Sequence, residues 1–281
     1  SASKYGAVHL YSFTDTNFSG AVLEGTIGKG YTGGKNVNFN ATAGDFFGHG
    51  ISLNSAGDRL AIGETGHNSN RGAAHLFTFT DTNFTGGTLA ATVAQGVSGT
   101  NDVPITLGVG DYFGSSVALS GDGEKLAVGA IYGDGESNNH SATGEVYLFT
   151  FNDTDFTGGQ LIATIGDSYT SGQDINIDLA SNDKFGRSVS LDYDGNRLAV
   201  GASEDVGPDG KSDAGAVYLF SFDDLAFTDG ELIATIGDGY TGSKNVNIAN
   251  LAGDDQFGIG VSLNAIGDRL AVGAFNDDGN G

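Results

Sequence analysis

A hairpin motif that occurs four times constrains this chain more than any other feature. Its third copy opens at Phe185-Gly186, crosses a turn at Asp194-Gly195 and closes at Val200-Gly201-Ala202. The other copies are residues 47–64, 113–130 and 257–274, and successive copies begin 66, 72 and 72 residues apart. A repeat of this length predicts an array of similar units, in which each unit buries its apolar faces against its neighbours.

Two further strands follow each hairpin. The third strand, as at residues 144–151, is apolar on both alternating faces, which indicates a sheet covered on both sides. A tight polar turn leads to a fourth strand, such as residues 161–165. The glycine-rich connection to the next copy contains an alternating stretch, at 36–39 and 245–248, that predicts a short extra strand. Since no window has helical periodicity with caps, we predict an all-β protein.

Four antiparallel strands per unit, with both faces apolar, describe the blade of a β-propeller better than a sandwich or a solenoid. The motifs also resemble the FG-GAP repeat of integrin α-subunit propellers in four features. These are the Phe-Gly opening, the Gly-Asp or Asp-Gly turn, the Val-Gly-Ala close and the Gly-Ala-Val-Tyr-Leu-Phe strand. The resemblance covers all four units and implies an extracellular propeller for adhesion or recognition, often with calcium in its hairpin loops.

The hairpin turns depart from the calcium-binding form of that family. Each turn carries only one or two carboxylates, as in the sequence from Tyr193 to Arg197. Because Ca²⁺ takes six to eight oxygen ligands, these turns alone do not supply a calcium site. The family's calcium position is therefore not transferred to them.

The two ends of the chain are complementary. The segment after Phe257 lacks a third and a fourth strand, whereas the segment before Phe47 contains them, and together they make 71 residues, one ordinary period. We therefore predict one domain, residues 1–281, folded as a four-bladed propeller of four-stranded antiparallel blades in which residues 1–46 complete the last blade. Alternatively, these strands complete a blade of a neighbouring copy and join copies into filaments. A third arrangement is an excerpt from a longer protein with more blades.

Composition narrows the classes of partner. The chain has 35 acidic and 12 basic residues and a formal charge of -23, which disfavours nucleic acid and anionic membranes and favours cations. It has no cysteine and no apolar run long enough for a membrane span. High Gly, Asn, Asp and Thr content is typical of secreted bacterial repeat proteins, so we expect a secreted or cell-surface protein, either processed or part of something longer.

An aspartate two residues before every Phe-Gly is the first candidate metal ligand. If the Phe-Gly strand is innermost, these four carboxylates lie near one mouth of the central channel, where they repel unless protonated or bridged by Ca²⁺. Alternatively, each aspartate caps its own strand by accepting local backbone N–H groups. The four residues are Asp45, Asp111, Asp183 and Asp255.

The loop after Val-Gly-Ala is the second candidate. It carries closely spaced oxygen ligands with glycines between them, a pattern that suits Ca²⁺, although a solvated acidic loop has the same composition. The residues concerned are Asp134, Glu136 and Asn138, then Asp205, Asp209 and Asp213, and finally Asp277, Asp278 and Asn280. In the first copy the loop from Gly63 to Gly72 is shorter, spanning 9 residues against 15 from Gly129 to Gly144. This indicates a partner contact or a tolerated deletion.

No pattern in the sequence points to a catalytic site. His9 and His75 occupy the position held by Tyr147 and Tyr218, so we interpret them as packing residues. We expect a non-enzymatic, calcium-stabilised extracellular module that acts in adhesion or as a structural subunit. Its partners would be an extracellular protein, a glycan or further copies of itself.

Two alternatives to this function remain open. A lectin would use Tyr31, Tyr169 and Tyr240, which recur in the glycine-rich connection, to stack on sugars. A propeller hydrolase or lyase would require a cleft with strongly perturbed carboxylates.

Overall fold

The computed structural model describes residues 4–136, 140–223, 226–242 and 244–279, and the regular secondary structure of this part of the chain is almost entirely β-strand. The N-terminal sheet contains β1 (Ala7–Ser12), β2 (Val22–Gly28) and β3 (Val37–Asn38). Sheet A contains β4 (Phe47–Leu53), β5 (Arg59–Glu64), β6 (Ala73–Thr78), β7 (Thr88–Ala94) and β8 (Val103–Pro104). One helical turn, α1 (His67–Asn70), lies between β5 and β6.

The remaining strands repeat this plan. Sheet B contains β9 (Phe113–Leu119), β10 (Lys125–Ala130), β11 (Glu145–Thr150), β12 (Gln160–Gly166) and β13 (Ile175–Asn176). Sheet C contains β14 (Phe185–Leu191), β15 (Arg197–Ala202), β16 (Ala216–Ser221), β17 (Glu231–Gly237) and β18 (Val246–Asn247). The C-terminal hairpin contains β19 (Phe257–Leu263) and β20 (Leu270–Ala274). In the described part of the chain, no helix has the length and apolar character that a membrane crossing requires.

Sheets A, B and C each have five strands in sequence order. The first four strands are antiparallel neighbours, as the repeat predicts, and the all-β prediction is confirmed. The expected count of four strands per unit is too low, because the glycine-rich connection turns back and adds a fifth strand. This strand pairs in parallel for only two residues, Ile175 and Asn176 in sheet B. The corresponding strands β3 and β18 lie within the two alternating stretches, 36–39 and 245–248, where a short extra strand was predicted.

The glycines of the repeat allow neighbouring sheets to approach closely. A Cβ on Gly129, in the Val-Gly-Ala motif of sheet B, would lie 2.1 Å from the carbonyl oxygen of Gly186, in the Phe-Gly motif of sheet C. The same contact joins Gly63 to Gly114 and Gly201 to Gly258, at 1.9 Å in both cases. Since no side chain fits into these gaps, the motif glycines are explained by contacts between sheets.

The phenylalanine of each Phe-Gly motif belongs to the core. Phe185 is fully buried and packs edge-to-face on Tyr218 and Phe220, with ring centroids 5.4 and 6.2 Å away. Apolar residues of sheets B and C form one continuous cluster that includes Val146 and Val200, so the core lies between neighbouring sheets. Burial of each large side chain contributes about 1.5–3 kcal/mol, which makes this shared core a principal source of stability.

The inner strands lie side by side around a common space. The ends of β4, β9, β14 and β19 line one cavity of about 380 Å³. Single bridges connect successive units in the same way: Gly72 to Phe113, Gly144 to Phe185 and Gly215 to Phe257. The arrangement is that of propeller blades placed next to each other around a channel.

The terminal strands depart from the prediction that residues 1–46 complete the last blade. In the structure, the N-terminal sheet and the C-terminal hairpin are separate sheets. The N-terminal sheet instead packs on sheet A through a bridge from Gly6 to Phe47, and the hairpin packs on sheet C. Consequently the described residues do not form a closed ring within one chain. Tyr11 in β1 is 52% exposed, whereas its counterpart in sheet A, Phe77, is fully buried.

Candidate functional site: paired buried carboxylates

The aspartates two residues before Phe-Gly have a local role in the structure. Asp111, Asp183 and Asp255 are buried, and each accepts a hydrogen bond through Oδ2 from the backbone N–H three residues earlier. The donor–acceptor distances are 2.6, 2.7 and 2.7 Å. These bonds match the capping alternative that the sequence left open.

The four aspartates are not gathered into one cluster. In the described ranges, the only group of three or more acidic or histidine side chains with ligand atoms within 4.8 Å of one another is Asp45, Glu64 and His67. The neighbouring carboxylate with the largest effect on the pKa is Glu64 for Asp45, Asp134 for Asp111 and Asp205 for Asp183. Each of these three aspartates thus has a carboxylate neighbour at the end of, or just after, the second strand of its own sheet.

In sheet C the second carboxylate is Asp205, which is 3% exposed. Asp205 accepts hydrogen bonds from the hydroxyls of Tyr218 and Tyr240 and from the backbone N–H of Gly207. Burial, followed by the charge of Asp205, raises the pKa of Asp183 to about 7. The Oδ1 atom of Asp183 is buried without a hydrogen-bond partner. These residues line a cavity of about 820 Å³, which we call site C.

Site B, in sheet B, has the same chemistry. Glu145 is 3% exposed and accepts hydrogen bonds from Tyr147 Oη, from Tyr169 Oη at 2.9 Å and from Gly135 N–H at 2.9 Å. Burial raises the pKa of Glu145, and the neighbouring charge of Asp111 raises it further, while the tyrosine hydrogen bonds lower it. Burial also raises the pKa of Asp111. The cavity has a volume of about 920 Å³.

Site A, in sheet A, contains imidazoles in place of phenols. The Oε2 atom of Glu64 lies 3.1 Å from His67 Nδ1 and 2.9 Å from His75 Nε2. Although burial raises the pKa of Glu64, the hydrogen bonds from the two histidines outweigh burial and bring it to about 2. The hydrogen bond to Glu64 raises the pKa of His67. A buried carboxylate beside two ring groups is thus common to sheets A, B and C.

The sequence analysis did not find these sites as units, because their carboxylates come from different positions. Glu64 ends β5, Glu145 begins β11 opposite Ala130, and Asp205 lies in the loop after β15. Glu64 and Glu145 nevertheless leave a signal. Glu64 replaces the alanine that closes Val-Gly-Ala in the other copies, and Glu145 replaces the alanine that follows the first glycine of the third strand. In both cases a charged residue interrupts an apolar strand of the repeat, and this signal would have identified both residues.

The other acidic residues of the loops are more exposed. Asp134 accepts a hydrogen bond from Ala142 N–H at 2.8 Å, and Asp277 accepts one from Gly279 N–H at 2.6 Å. Asp213 is half-buried, and burial, with the charges of Glu204 and Asp254, raises its pKa. Of the loop residues predicted as ligands, Asp205 is a central member of site C, and Asp134 and Glu136 line the cavity of site B. Glu136, Asp209 and Asp278 are exposed, and Asn138 and Asn280 lie outside the described residues.

Two of the three recurring tyrosines are bound to these carboxylates. Tyr169 donates its hydroxyl to Glu145, and Tyr240 donates to Asp205. Tyr31 is 40% exposed and stands edge-on to His9, with ring centroids 6.4 Å apart. The hydroxyls of Tyr169 and Tyr240 therefore stabilise the two buried carboxylates.

The FG-GAP repeat family matches residues 108–149 and 175–220. The protein contains FG-GAP repeats. Each matched segment holds the first aspartate, the second carboxylate and the first tyrosine of one site, namely Asp111, Glu145 and Tyr147 in the first segment and Asp183, Asp205 and Tyr218 in the second. No curated protein sequence matches the chain.

Solved structures show distant similarity to this chain. Hydrazine synthase from Kuenenia stuttgartiensis is 12% identical over 96% of this chain and 63% of its own, with a TM-score of 0.47. Sqt1 from Chaetomium thermophilum is 10% identical over 81% and 41%, with a TM-score of 0.41. The β-propeller domain of the Trilobed protease from Pyrococcus furiosus is 10% identical over 67% and 41%, with a TM-score of 0.31. The chain spans less than two thirds of each of these structures.

Proposed function

We propose that this FG-GAP repeat protein is a non-catalytic extracellular recognition module, acting in adhesion, whose sites B and C each bind Ca²⁺. One observation carries the proposal. Asp183 and Asp205 are both buried in site C, neither forms a salt bridge within the described ranges, and one oxygen of Asp183 has no partner. Two neighbouring buried carboxylates repel each other unless one is protonated or a cation joins them.

Calcium suits these sites by ligand type. Ca²⁺ is bound by carboxylate, carbonyl and water oxygens in irregular geometry, and sites B and C offer carboxylates in open cavities. The formal charge of -23 further favours cations over anions near the protein. In this proposal the two ions stabilise the loops that follow β10 and β15, and those loops form the recognition surface.

The repetition of the sites supports a structural role for the ions over catalysis. Sites B and C contain the perturbed carboxylates that a hydrolase or lyase requires. However, the same arrangement occurs in two sheets, as expected of an element that stabilises each unit. The described residues of sites B and C also contain no Ser, Lys or His side chain that is hydrogen-bonded to Glu145 or Asp205 as an activated nucleophile would be.

A calcium titration followed by calorimetry tests the proposal. At Ca²⁺ concentrations 100-fold above Kd, each occupied site stabilises the fold by about 2.7 kcal/mol. We expect the Asp183→Asn variant to lose about half of the calcium-dependent stabilisation, because one of two sites is removed, and to adhere less to cell surfaces in calcium. Asp155→Asn is the matched control, since that side chain is 76% exposed. Equal calcium responses in all three proteins would contradict the proposal.

We propose second that copies of this 281-residue chain associate by pairing β20 of one with β1 of another. Both edges are unpaired in the structure, and the pairing of β5 with β6 provides the register: Ile62 pairs with His75, so Val272 would pair with His9. Gly129 lies against the carbonyl oxygen of Gly186 in the neighbouring sheet, whereas no described backbone lies equally close to Gly273, where the nearest atom to a Cβ is 3.5 Å away. Gly273 could therefore make the same contact with a sheet of another copy. The two ends thus offer complementary edges for a shared sheet.

A further inference from the structure

Site A differs from sites B and C in its ligand atoms. Sheet B and sheet C place tyrosine hydroxyls on their second carboxylates, whereas sheet A places His67 and His75 around Glu64. The glycine-rich connection of sheet A also has Val97 at the position of Tyr169 and Tyr240. In site A, the imidazole of His67 takes the place of the phenol ring that Tyr169 and Tyr240 provide in sites B and C. His67 lies in the short loop after β5.

The short loop is held against the first aspartate of its unit. Gly66 N–H donates to the carbonyl oxygen of Asp45 at 2.8 Å, and Gly72 N–H donates to the carbonyl oxygen of His67 at 3.0 Å. A Cβ on Gly66 would lie 2.5 Å from the Cα of Asp45, so only glycine permits this approach. The nine-residue loop thereby fixes His67 between Asp45 and Glu64.

One oxygen of site A lacks a partner. Glu64 is 2% exposed, and its Oε1 atom accepts no hydrogen bond, while Oε2 accepts both imidazole contacts. An unpaired carboxylate oxygen at this depth is costly, because it has lost its hydration without gaining a donor. A cation at the cluster would supply the missing interaction.

We propose that Asp45, Glu64 and His67 bind one divalent transition-metal ion of the Zn²⁺ type. Their ligand atoms lie within 4.8 Å of one another, a separation that one ion spans with small side-chain movements.

His75 has a supporting role in this site. Its Nε2 contacts the same Glu64 oxygen at 2.9 Å, and its Nδ1 lies 3.3 Å from Thr92 Oγ1, so the ring is held from both sides. A group hydrogen-bonded to a ligand in this way orients it and tunes its basicity. Three protein ligands leave at least one further coordination position for water or for a group of a binding partner.

The nitrogen ligand separates site A from the calcium sites. Ca²⁺ is a hard ion that prefers oxygen, whereas Zn²⁺, Co²⁺ and Ni²⁺ accept imidazole readily. We therefore expect excess Ca²⁺ to leave Zn²⁺ at site A and to occupy sites B and C.

Isothermal titration of the full chain with ZnCl₂ in excess Ca²⁺ tests this inference. We expect one Zn²⁺ per chain, and at least a tenfold loss of affinity in His67→Asn. Co²⁺ provides a second readout, since its visible absorption reports nitrogen and oxygen coordination directly and should weaken in the same variant. His140→Asn is the matched control. His140 belongs to the unit of sheet B, and its Nδ1 lies 3.3 Å from Asp167 Oδ2. Among the described residues, no third ligand lies beside this pair.

Circular dichroism in chelator shows whether each variant is folded. Should His67→Asn fail to fold, Asp45→Asn replaces it, as this half-buried side chain keeps its shape in the substitution. The inference is overturned if the wild-type chain binds no Zn²⁺ saturably. It is equally overturned if a folded His67→Asn or Asp45→Asn variant binds Zn²⁺ with wild-type affinity.

Discussion

Asp183 shows how one side chain combines a structural and an electrostatic role. Its Oδ2 atom caps the connection before β14 by accepting Ala180 N–H, and its Oδ1 atom is buried beside Asp205. Backbone capping alone would lower the pKa of a carboxyl group, yet burial and the charge of Asp205 raise this one to about 7. The unpaired oxygen, rather than the capping oxygen, is the part available to an ion.

Asp183→Asn should change the pH dependence of stability in the absence of divalent ions. The folded pKa of about 7 lies above the value of 3.8 for a free aspartate, so the folded state holds the proton more tightly. The stability associated with that proton is complete below about pH 4 and is lost as the pH rises through about 7. Asn does not titrate, so its contribution to the free energy of unfolding does not change with pH. As the pH rises through this range, the free energy of unfolding of the variant should increase by roughly 2 kcal/mol relative to that of the wild-type chain, after allowance for solvent screening.

Urea unfolding in chelator between pH 4 and pH 8 measures this gain, with Asp155→Asn as the exposed control. Saturating Ca²⁺ at pH 8 should remove most of the advantage, because the ion then stabilises the wild-type carboxylate. A pH-independent difference between Asp183→Asn and the wild-type chain would show that Asp183 does not titrate as its surroundings imply.

At the scale of strands and sheets, the glycines of Phe-Gly and Val-Gly-Ala determine how units join. Their backbone atoms touch across each boundary, as Gly129 and Gly186 do, so packing at this point depends on the absence of a side chain. The C-terminal hairpin keeps the same glycine at Gly273, although a Cβ there would lie no closer than 3.5 Å to any described atom and would fit without strain. This pair of glycines allows a matched comparison.

Gly129→Ala should destabilise the fold and Gly273→Ala should not. The Cβ at residue 129 would lie 2.1 Å from the carbonyl oxygen of Gly186, so two sheets must separate, at a cost of about 1–3 kcal/mol. At residue 273 the nearest atom is 3.5 Å away, an ordinary contact. Denaturant midpoints of the two variants at low protein concentration measure the difference. Equal losses would mean that the sheets do not meet through these glycines.

The strands were largely predictable from sequence, whereas the sites were predictable only in part: the sequence singles out Asp45, Asp111, Asp183 and Asp205 but not Glu64 or Glu145. The Phe185 copy predicts its two inner strands because apolar alternation and turn residues are local signals. The fifth strand of sheet C, Val246–Asn247, was predicted only from a short alternation, since two residues carry little pattern. Glu64, Glu145 and Asp205 become equivalent only in three dimensions, where side chains from different strands and loops enter the same kind of pocket. The spacing of these three residues along the sequence does not indicate that they occupy equivalent pockets.

At the scale of the whole molecule, β1 and β20 are edge strands among the described residues, and the proposed association of copies depends on them. Tyr11 and Leu23 in the N-terminal sheet are about half exposed, and β20 alternates exposed and half-buried residues where β5, β10 and β15 are mostly buried. Long unpaired edges with exposed apolar side chains favour pairing with another chain. The absence of cysteine makes this proposal accessible to designed cross-links.

A chain carrying His9→Cys and Val272→Cys should form disulfides between copies on mild oxidation. The register of sheet A places these two positions opposite each other in a shared sheet. Thr26→Cys with Val272→Cys is the control, because Thr26 lies one strand further from the edge than His9. Non-reducing electrophoresis should show a ladder for the first pair only. A cross-linked species of monomer mass would instead show ring closure within one chain, and no cross-link would contradict the shared sheet.

The contacts between sheets have a consequence for how such a chain changes in evolution. Backbone glycines join neighbouring units, as Gly129 and Gly186 do, so the central part of the boundary depends little on which side chains the neighbour carries. The central side chains of each carboxylate site, by contrast, come from one unit, as Asp183, Asp205 and Tyr218 do, while residues of the preceding unit such as Asn176 line the rest of the cavity. Duplication or loss of a whole unit would therefore carry these central side chains with it and still match the next unit through the glycines. A gene of this kind can alter the number and order of its carboxylate sites by recombination.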